Sequence, residues 1–282
     1  MGRDRDDGRV PDLRVTTRNA RFQQWSALLA NRTKRHRAGE FIVQGVRPIS
    51  LAVEHGWAVR ALIHDDTAPL SAWARELLDT VRAPSVAMAA ELLAELGGKE
   101  EAAPELLAVV AQRDDDLRRI PLSGGAPAVV FDRPASPGNI GTLVRSADAF
   151  GAAGVIVTGH AADPYDPKAV RASTGSFFAV PVVRAPSHRE VLDWLSQVRR
   201  QGVDVRIAGT DESGATELSD YDFARPTVLV VGNETAGMSS AWRDACDELL
   251  TIPMTGAASS LNAATAGSIA LYEAFRQRRA RG

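Results

Sequence analysis

The stretch FDRPASPGNIGTLVRSADAFGAAGVIVTG, residues 131–159, decides how this chain is read. An apolar run (AVVF, 128–131) leads into a Pro/Gly-rich turn, the turn delivers Asn139 into the start of a helix reaching about Phe150, and a second apolar run follows (GVIVT, 154–158). At 100° per residue, Ile140, Leu143, Val144 and Ala147 fall on one face of that helix, and Asn139, Thr142, Arg145 and Ser146 on the other. Arg145 therefore points away from the sheet, where a five-donor guanidinium suits a phosphate or an oxygen carrying developing negative charge. Periodicity alone leaves plainer readings open, with Arg145 as solvated surface and Asn139 as a helix cap.

Outward from this stretch, β-rich runs recur between amphipathic helical patterns at 178–183, 203–208, 227–231 and 248–252. Alternation of this kind predicts an α/β fold with a mostly parallel sheet covered on both faces. Asp166-Pro167 reads as an N-cap with proline at N1. Ser187 and Glu190 have capping-box spacing, and Gly151 and Gly202 sit where helix C-caps belong.

Two further segments carry chemistry. In VLVVGNETAGMSS (228–240) a strand runs into Gly232, Asn233, Glu234 and Gly237. Ligands of parallel sheets sit at strand carboxyl ends, and glycines admit close backbone approach, although a purely structural turn fits the same pattern. It is neither a Walker A loop nor a GxGxxG turn, which argues against a Rossmann oxidoreductase. In LLTIPMTGAASSLNAATAGSIALYEAFRQRR (249–279) a strand gives way to a Gly/Ala/Ser loop and a long helix opening near Ser260. The small residues from Ala264 to Ser268 read as tight packing, whereas Ser260 and Asn262 offer polar groups at a helix start beside a strand edge.

Towards the N-terminus, helix is expected around Phe22–Leu29, strand at 41–46, helix from Pro48 to His55, strand at 59–64 and helix across Ser71–Leu78, a small α/β domain. Residues 1–14 read as a disordered charged tail, with order starting near Val15. The segment QRDDDLRRIPLSGGAPA (112–128) marks a seam, and the boundary is placed near Leu117, giving domains of 15–117 and 118–282.

The 282 residues suffice for two domains with real cores. A single cysteine, Cys246, excludes an internal disulfide framework, and five scattered histidines show no metal-ligand spacing, so no metal is expected. No apolar run nears the roughly 20 residues of a membrane span and the charged N-terminus is no signal peptide, so a cytoplasmic protein is expected. The net charge of −2 hides an asymmetry. Residues 1–47 hold eleven basic and five acidic side chains, a net of +6, and residues 48–118 hold six and thirteen, a net of −7. A basic N-terminal arm points to an anionic partner, or to a solvated tail.

Together and in this order, PASPGNIGTLVRSADAFG, VVGNETAGM and IPMTGAASSLNAATAGSIALYEAFRQ resemble the three motifs of the SpoU/TrmH family of RNA ribose 2′-O-methyltransferases, in the SPOUT superfamily. The likeness spans roughly residues 126–280. The region 31–55 resembles the RNA-binding domain, of ribosomal-protein L30e-like fold, that precedes the catalytic domain in many members. Within the family the combination is most similar to 23S rRNA methyltransferases of the avilamycin-resistance subgroup.

The resemblance implies a deep trefoil knot in the C-terminal sheet, an obligate homodimer and S-adenosylmethionine as cofactor. It assigns cofactor binding to Thr210, Gly232, Asn233, Glu234, Gly237, Ile252, Met254, Ser260, Leu261 and Asn262. Asn139, Arg145, Glu234 and Asn262 are the catalytic candidates at the ribose. Arg32, Lys34, Arg35 and Arg37 are expected on RNA phosphates, while Phe41 is expected in the core. The activity implied is 2′-O-methylation of rRNA, with a role in resistance to ribosome-targeting antibiotics. A tRNA substrate, or an RNA-binding protein without catalysis on the same scaffold, are the alternatives.

Overall fold

Strand β1 (Leu13–Val15) begins just ahead of Val15, the expected start of order, because the backbone and carboxylate of Asp12 both bond Ser85, at 2.9 and 2.8 Å, and pin the strand to its neighbour. The computed structural model describes residues 11–98 and 104–281, so most of the expected tail lies outside the described residues. The chain divides into two units, one of residues up to Arg113 plus Tyr165–Pro167, the other of Asp114–Pro164 plus residues from Lys168 on.

In the first unit β1 is followed by α1 (Ala20–Ala30), α2 (Arg32–Ala38), β2 (Glu40–Gln44), α3 (Val46–Glu54), β3 (Val59–Asp65), α4 (Ala72–Thr80), β4 (Ser85–Met88), α5 (Ala90–Gly97) and β5 (Leu106–Ala111). The sheet order is β1-β4-β3-β5-β2, with β5 antiparallel to both its neighbours and the other pairs parallel. Its core gathers Phe22, Trp25 and Leu28 of α1 against Ile63, Val86 and Val109 of the sheet. Phe41 is fully buried, as expected.

Helix α2 falls between the helix expected around Phe22–Leu29 and the strand expected at 41–46, where no element is expected. Asn31 caps it by accepting from Lys34 N at 3.0 Å, and Gly39 ends it at φ +64°.

The second unit holds β6 (Ala128–Asp132), α6 (Pro137–Ala149), β7 (Gly154–Thr158), α7 (Pro167–Ala172), α8 (Ser176–Ala179), β8 (Val182–Ala185), α9 (His188–Arg200), β9 (Arg206–Thr210), β10 (Thr216–Glu217), β11 (Thr227–Val231), α10 (Ser240–Ala245), β12 (Glu248–Thr251) and α11 (Ala263–Arg281). All seven strands are parallel, in the order β10-β12-β9-β11-β6-β7-β8. The central strands β11 and β6 are buried throughout, as strands covered on both faces must be.

Local expectations are met unevenly. Residues 178–183 were expected as strand, yet Ser176–Ala179 is a helical turn: Gly175 at φ +99° redirects the chain, Ser176 Oγ donates to Asp148 at 2.7 Å, and the strand starts only at Val182. Ser187 does precede α9, but its side chain makes no capping bond, so the capping box is not formed. Gly151 (φ +64°) and Gly202 (φ +94°) sit just beyond the ends of α6 and α9 in the left-handed region.

Candidate active site

Helix α6 buries the face that periodicity assigned to it: Ile140, Leu143, Val144 and Ala147 are each 0% exposed, and Arg145 is exposed on the other side. Its cap is Ser136, not Asn139. Capping three residues upstream releases the Asn139 amide for another partner, which is Glu234.

That carboxylate lies at the centre of a hydrogen-bond relay. Glu234 accepts from Ala135 N at 3.0 Å, Ser136 N at 3.3 Å and Asn139 Nδ2 at 2.8 Å, and Asn262 Nδ2 donates to Asn139 Oδ1 at 3.3 Å. One relay thus joins residues from all three segments. Partial burial pulls the Glu234 carboxyl upward, but the donors outweigh it, Ala135 N first and then Asn139, and hold it below the ordinary carboxylate value. Asn262 also accepts from Thr265 N at 3.1 Å and thereby starts α11, so that helix opens at Ala263 and not at Ser260.

The turn after β11 is tightly built. Asn233 and Gly237 exchange backbone bonds of 2.9 and 3.1 Å, and Asn233 Oδ1 accepts from Thr235 N and Ala236 N, both at 2.9 Å. A Cβ on Gly232 would lie 2.3 Å from Met238 N and 2.5 Å from Gly237 C, so only glycine fits there. The side chain of Asn233 is thus engaged in shaping the turn, with Nδ2 donating to Arg133 O at 2.7 Å.

This turn walls a cavity of about 400 Å³, within the roughly 300–1,000 Å³ of small-molecule sites. Nine of the residues assigned to the cofactor line it: Thr210, Gly232, Asn233, Glu234, Gly237, Ile252, Met254, Ser260 and Leu261. Asn262 does not line it and is reached through Asn139, and Asn139 and Arg145 lie outside the lining as well. Asp211, Glu212, Ser213, Met238 and Arg243, none of them among the expected site residues, also line it. Asp211 accepts from Ser213 N at 2.9 Å, from Ser213 Oγ and from Arg243. Burial raises its carboxyl, yet these donors together leave it below the ordinary value. Nothing local in GTDES signals this, since the pocket closes only when β9, β11 and β12 lie side by side.

The lining suits S-adenosylmethionine. Val231, Met238, Leu250, Ile252 and Leu261 offer an apolar bed for a flat heterocycle, while Asp211, Glu212 and Arg243 offer both charge signs to a zwitterionic tail. Among the described residues no cluster of His, Cys, Asp or Glu is placed to hold a metal, and no helix is long and apolar enough to cross a membrane.

On the first unit, Arg32, Lys34 and Arg37 are exposed on α2. Arg35 is a correction: it is only 2% exposed, its Nη1 donates to Leu28 O at 2.8 Å and Leu29 O at 3.2 Å, and its Nη2 pairs with Asp166 at 3.3 Å. A guanidinium bound to the last carbonyls of α1 is structural and leaves the phosphate-binding set.

Comparison with known proteins identifies the family of the chain. Residues 19–108 match the model of the SpoU L30e-like domain, and residues 126–272 that of the SpoU rRNA Methylase family. The chain is 60% identical over 278 residues, 99% of its length and 97% of the other's, to the 23S rRNA (uridine(2479)-2′-O)-methyltransferase of Streptomyces viridochromogenes. The crystal structure of the SpoU methyltransferase AviRb of that organism, in complex with AdoMet, superposes with a TM-score of 0.90 at 61% identity, over 93% of this chain and 99% of that one. An AdoMet-bound rRNA methyltransferase from Sinorhizobium meliloti follows at 0.82 and 28%, over 94% and 98%. The chain belongs to the SpoU rRNA methylase family.

Proposed function

We propose that this protein transfers the methyl group of S-adenosylmethionine to a ribose 2′-oxygen of 23S rRNA. The observation that carries the reading is the Glu234–Asn139–Asn262 relay standing beside a cavity lined by the turns after β11 and β12. It is supported by the 60% identity to the Streptomyces viridochromogenes 23S rRNA (uridine(2479)-2′-O)-methyltransferase.

When bound, the cofactor supplies a sulfonium methyl that is already electrophilic. The chain's own task is to place the 2′-oxygen in line and ease the loss of its proton. A guanidinium with a pKa above about 12 is a poor base. Arg145 is therefore assigned to the developing negative charge on that oxygen and to the adjacent phosphate, with the proton passing to water or a neighbouring group. Glu234, kept ionised by its donors, fixes the Asn139 amide, and Asn139 in turn orients Asn262. Arg32, Lys34 and Arg37 are assigned to RNA phosphates, adding affinity without sequence discrimination.

The same reading carries the trefoil knot and a homodimer. Supporting the homodimer, Ile269 and Tyr272 are exposed apolar side chains on one side of α11, with Tyr272 edge-on to Phe150.

The test is methyl transfer to 23S rRNA from labelled cofactor, with the modified ribose mapped. Arg145→Ala is expected to lower kcat on the order of a hundredfold or more, and Arg145→Lys to restore only part of it. Full rescue by lysine would mean that charge suffices without the planar fork. Methylation of tRNA alone, or cofactor binding without transfer, would overturn the substrate or the enzymatic reading respectively.

A further inference from the structure

Arg133 holds a backbone conformation that side chains avoid, at φ +52°, next to the fully framed carboxylate of Asp132. Backbone strain of this kind persists only where the surroundings impose it, and it concentrates at functional sites. The surroundings here are specific. Arg133 N donates to Thr158 O at 3.0 Å, and Arg133 O accepts from Asn233 Nδ2 at 2.7 Å. Its Nε donates to Asp132 Oδ2 at 3.1 Å and its Nη2 to Gly237 O at 3.1 Å. Asp132, 3% exposed, uses the same Oδ2 to accept from Ser239 N at 2.9 Å. Even the stem has a prepared place, because a Cβ on Gly159 would lie 2.8 Å from Arg133 Cγ.

Every one of these bonds on the β11 side ends on the turn 233–239: at its start (Asn233), its crest (Gly237) and its exit (Ser239). That turn is the wall of the cavity. We infer that Arg133 is a positioning residue for cofactor binding, a clamp that fixes the shape of the 233–239 turn through the guanidinium–Gly237 carbonyl bond. The inference rests on the cofactor reading above and adds to it a residue outside the cavity lining and outside the catalytic relay.

Two variants separate the clamp from plain fold maintenance. Arg133→Gly tolerates φ +52° and deletes the guanidinium, so the fold should keep its melting temperature. Arg133→Gln keeps a side chain in the strained backbone and lacks the charged fork. Titrating S-adenosylmethionine into each by calorimetry is expected to show a Kd raised roughly tenfold, the effect of one lost charge-assisted bond, in both variants. With rRNA and saturating cofactor, kcat should stay within about twofold of the parent, so that the change falls on the cofactor KM. Cofactor affinity unchanged in both variants would overturn the clamp. So would a loss of affinity that follows a loss of melting temperature in both, or a loss of kcat at saturation as large as the loss of affinity. A parent chain that binds no cofactor would instead remove the cofactor reading itself, and the clamp with it.

Discussion

Residues 232–238 and the segment from Ile252 to Leu261 wall the same cavity, yet the first segment is laced by Asn233, Glu234 and Arg133, while residues 253–261 make no hydrogen bond in the described structure and are exposed throughout. The turn after β11 is a finished surface. The segment after β12 is anchored only at its ends, by β12 and by the Asn262 cap of α11. A ligand lodged between them would meet one wall already in shape and would supply the missing partners of the other. Preorganisation on one side lowers the ordering cost of binding, and looseness on the other leaves a way in.

The contrast breaks most readily at Gly232. Alanine there drives its Cβ into the backbone of Gly237 and Met238, and no flexible side chain is present to yield. Cofactor affinity measured by calorimetry should fall on the order of a hundredfold, as overpacking at the upper end of about 1–3 kcal/mol requires. An alanine variant with parental affinity would show that the turn is far softer than its bonding suggests.

Next in size is Glu234→Gln, which places an amide against the donors Ala135 N, Ser136 N and Asn139 Nδ2. Loss of relay order should lower kcat roughly thirtyfold, equivalent to about 2 kcal/mol. The pH dependence has a definite sign. The folded-state pKa of Glu234 lies below its ordinary value of 4.5, so its contribution to stability is complete above that value and is lost as the pH falls through the lower, folded-state one. Glu234→Gln should remove that acid-side loss, and a stability curve identical to the parent's below pH 4.5 would count against it.

A smaller effect separates the walls directly. Hydrogen exchange followed with and without S-adenosylmethionine should slow at residues 253–261, where amides are now bonded only to solvent, and change little at 233–238. Equal protection gained in both segments would erase the distinction between a finished and an unfinished wall.

What the sequence disclosed follows the range of the forces involved. The buried stripe of α6 was legible because a 3.6-residue period is a local property, and the parallel sheet followed from the alternation of β-rich and helical runs. Arg35 was misread because charge says nothing of direction: only the short α2 turns it toward Leu28 O and Leu29 O. Residues 178–183 look like a strand from their apolar β-branched run, and Gly175 with the Ser176–Asp148 bond overrides that. The motif residues of the site were legible as a family pattern, whereas Asp211, Ser213 and Arg243 join it only through the pairing of β9 with its neighbours, which no local pattern encodes. Arg133 is the hardest kind, since its backbone angle has no signature in the letters FDRP.

The smallest expected effect concerns the spacing of α6 and α11, the helices that carry Asn139 and Asn262. They are joined near the relay by the Asn262–Asn139 bond at 3.3 Å and by Ser146 Oγ to Ser268 Oγ at 2.7 Å, and at the far end of α6 by Arg278 Nη2, which donates to Phe150 O at 2.8 Å. Because Ser268 Oγ donates to Ala264 O at 2.7 Å, its hydrogen is committed and Ser146 is the donor to it. Gly267 meanwhile lets α11 lie directly on Leu143, where a Cβ would come within 2.7 Å. If packing at Gly267 sets the spacing, Ser146→Ala should lower stability by about 1 kcal/mol in chemical denaturation and leave kcat nearly unchanged. A tenfold loss of kcat at undiminished stability would reverse that assignment, making the serine pair, and not the glycine contact, the element that holds the relay in register.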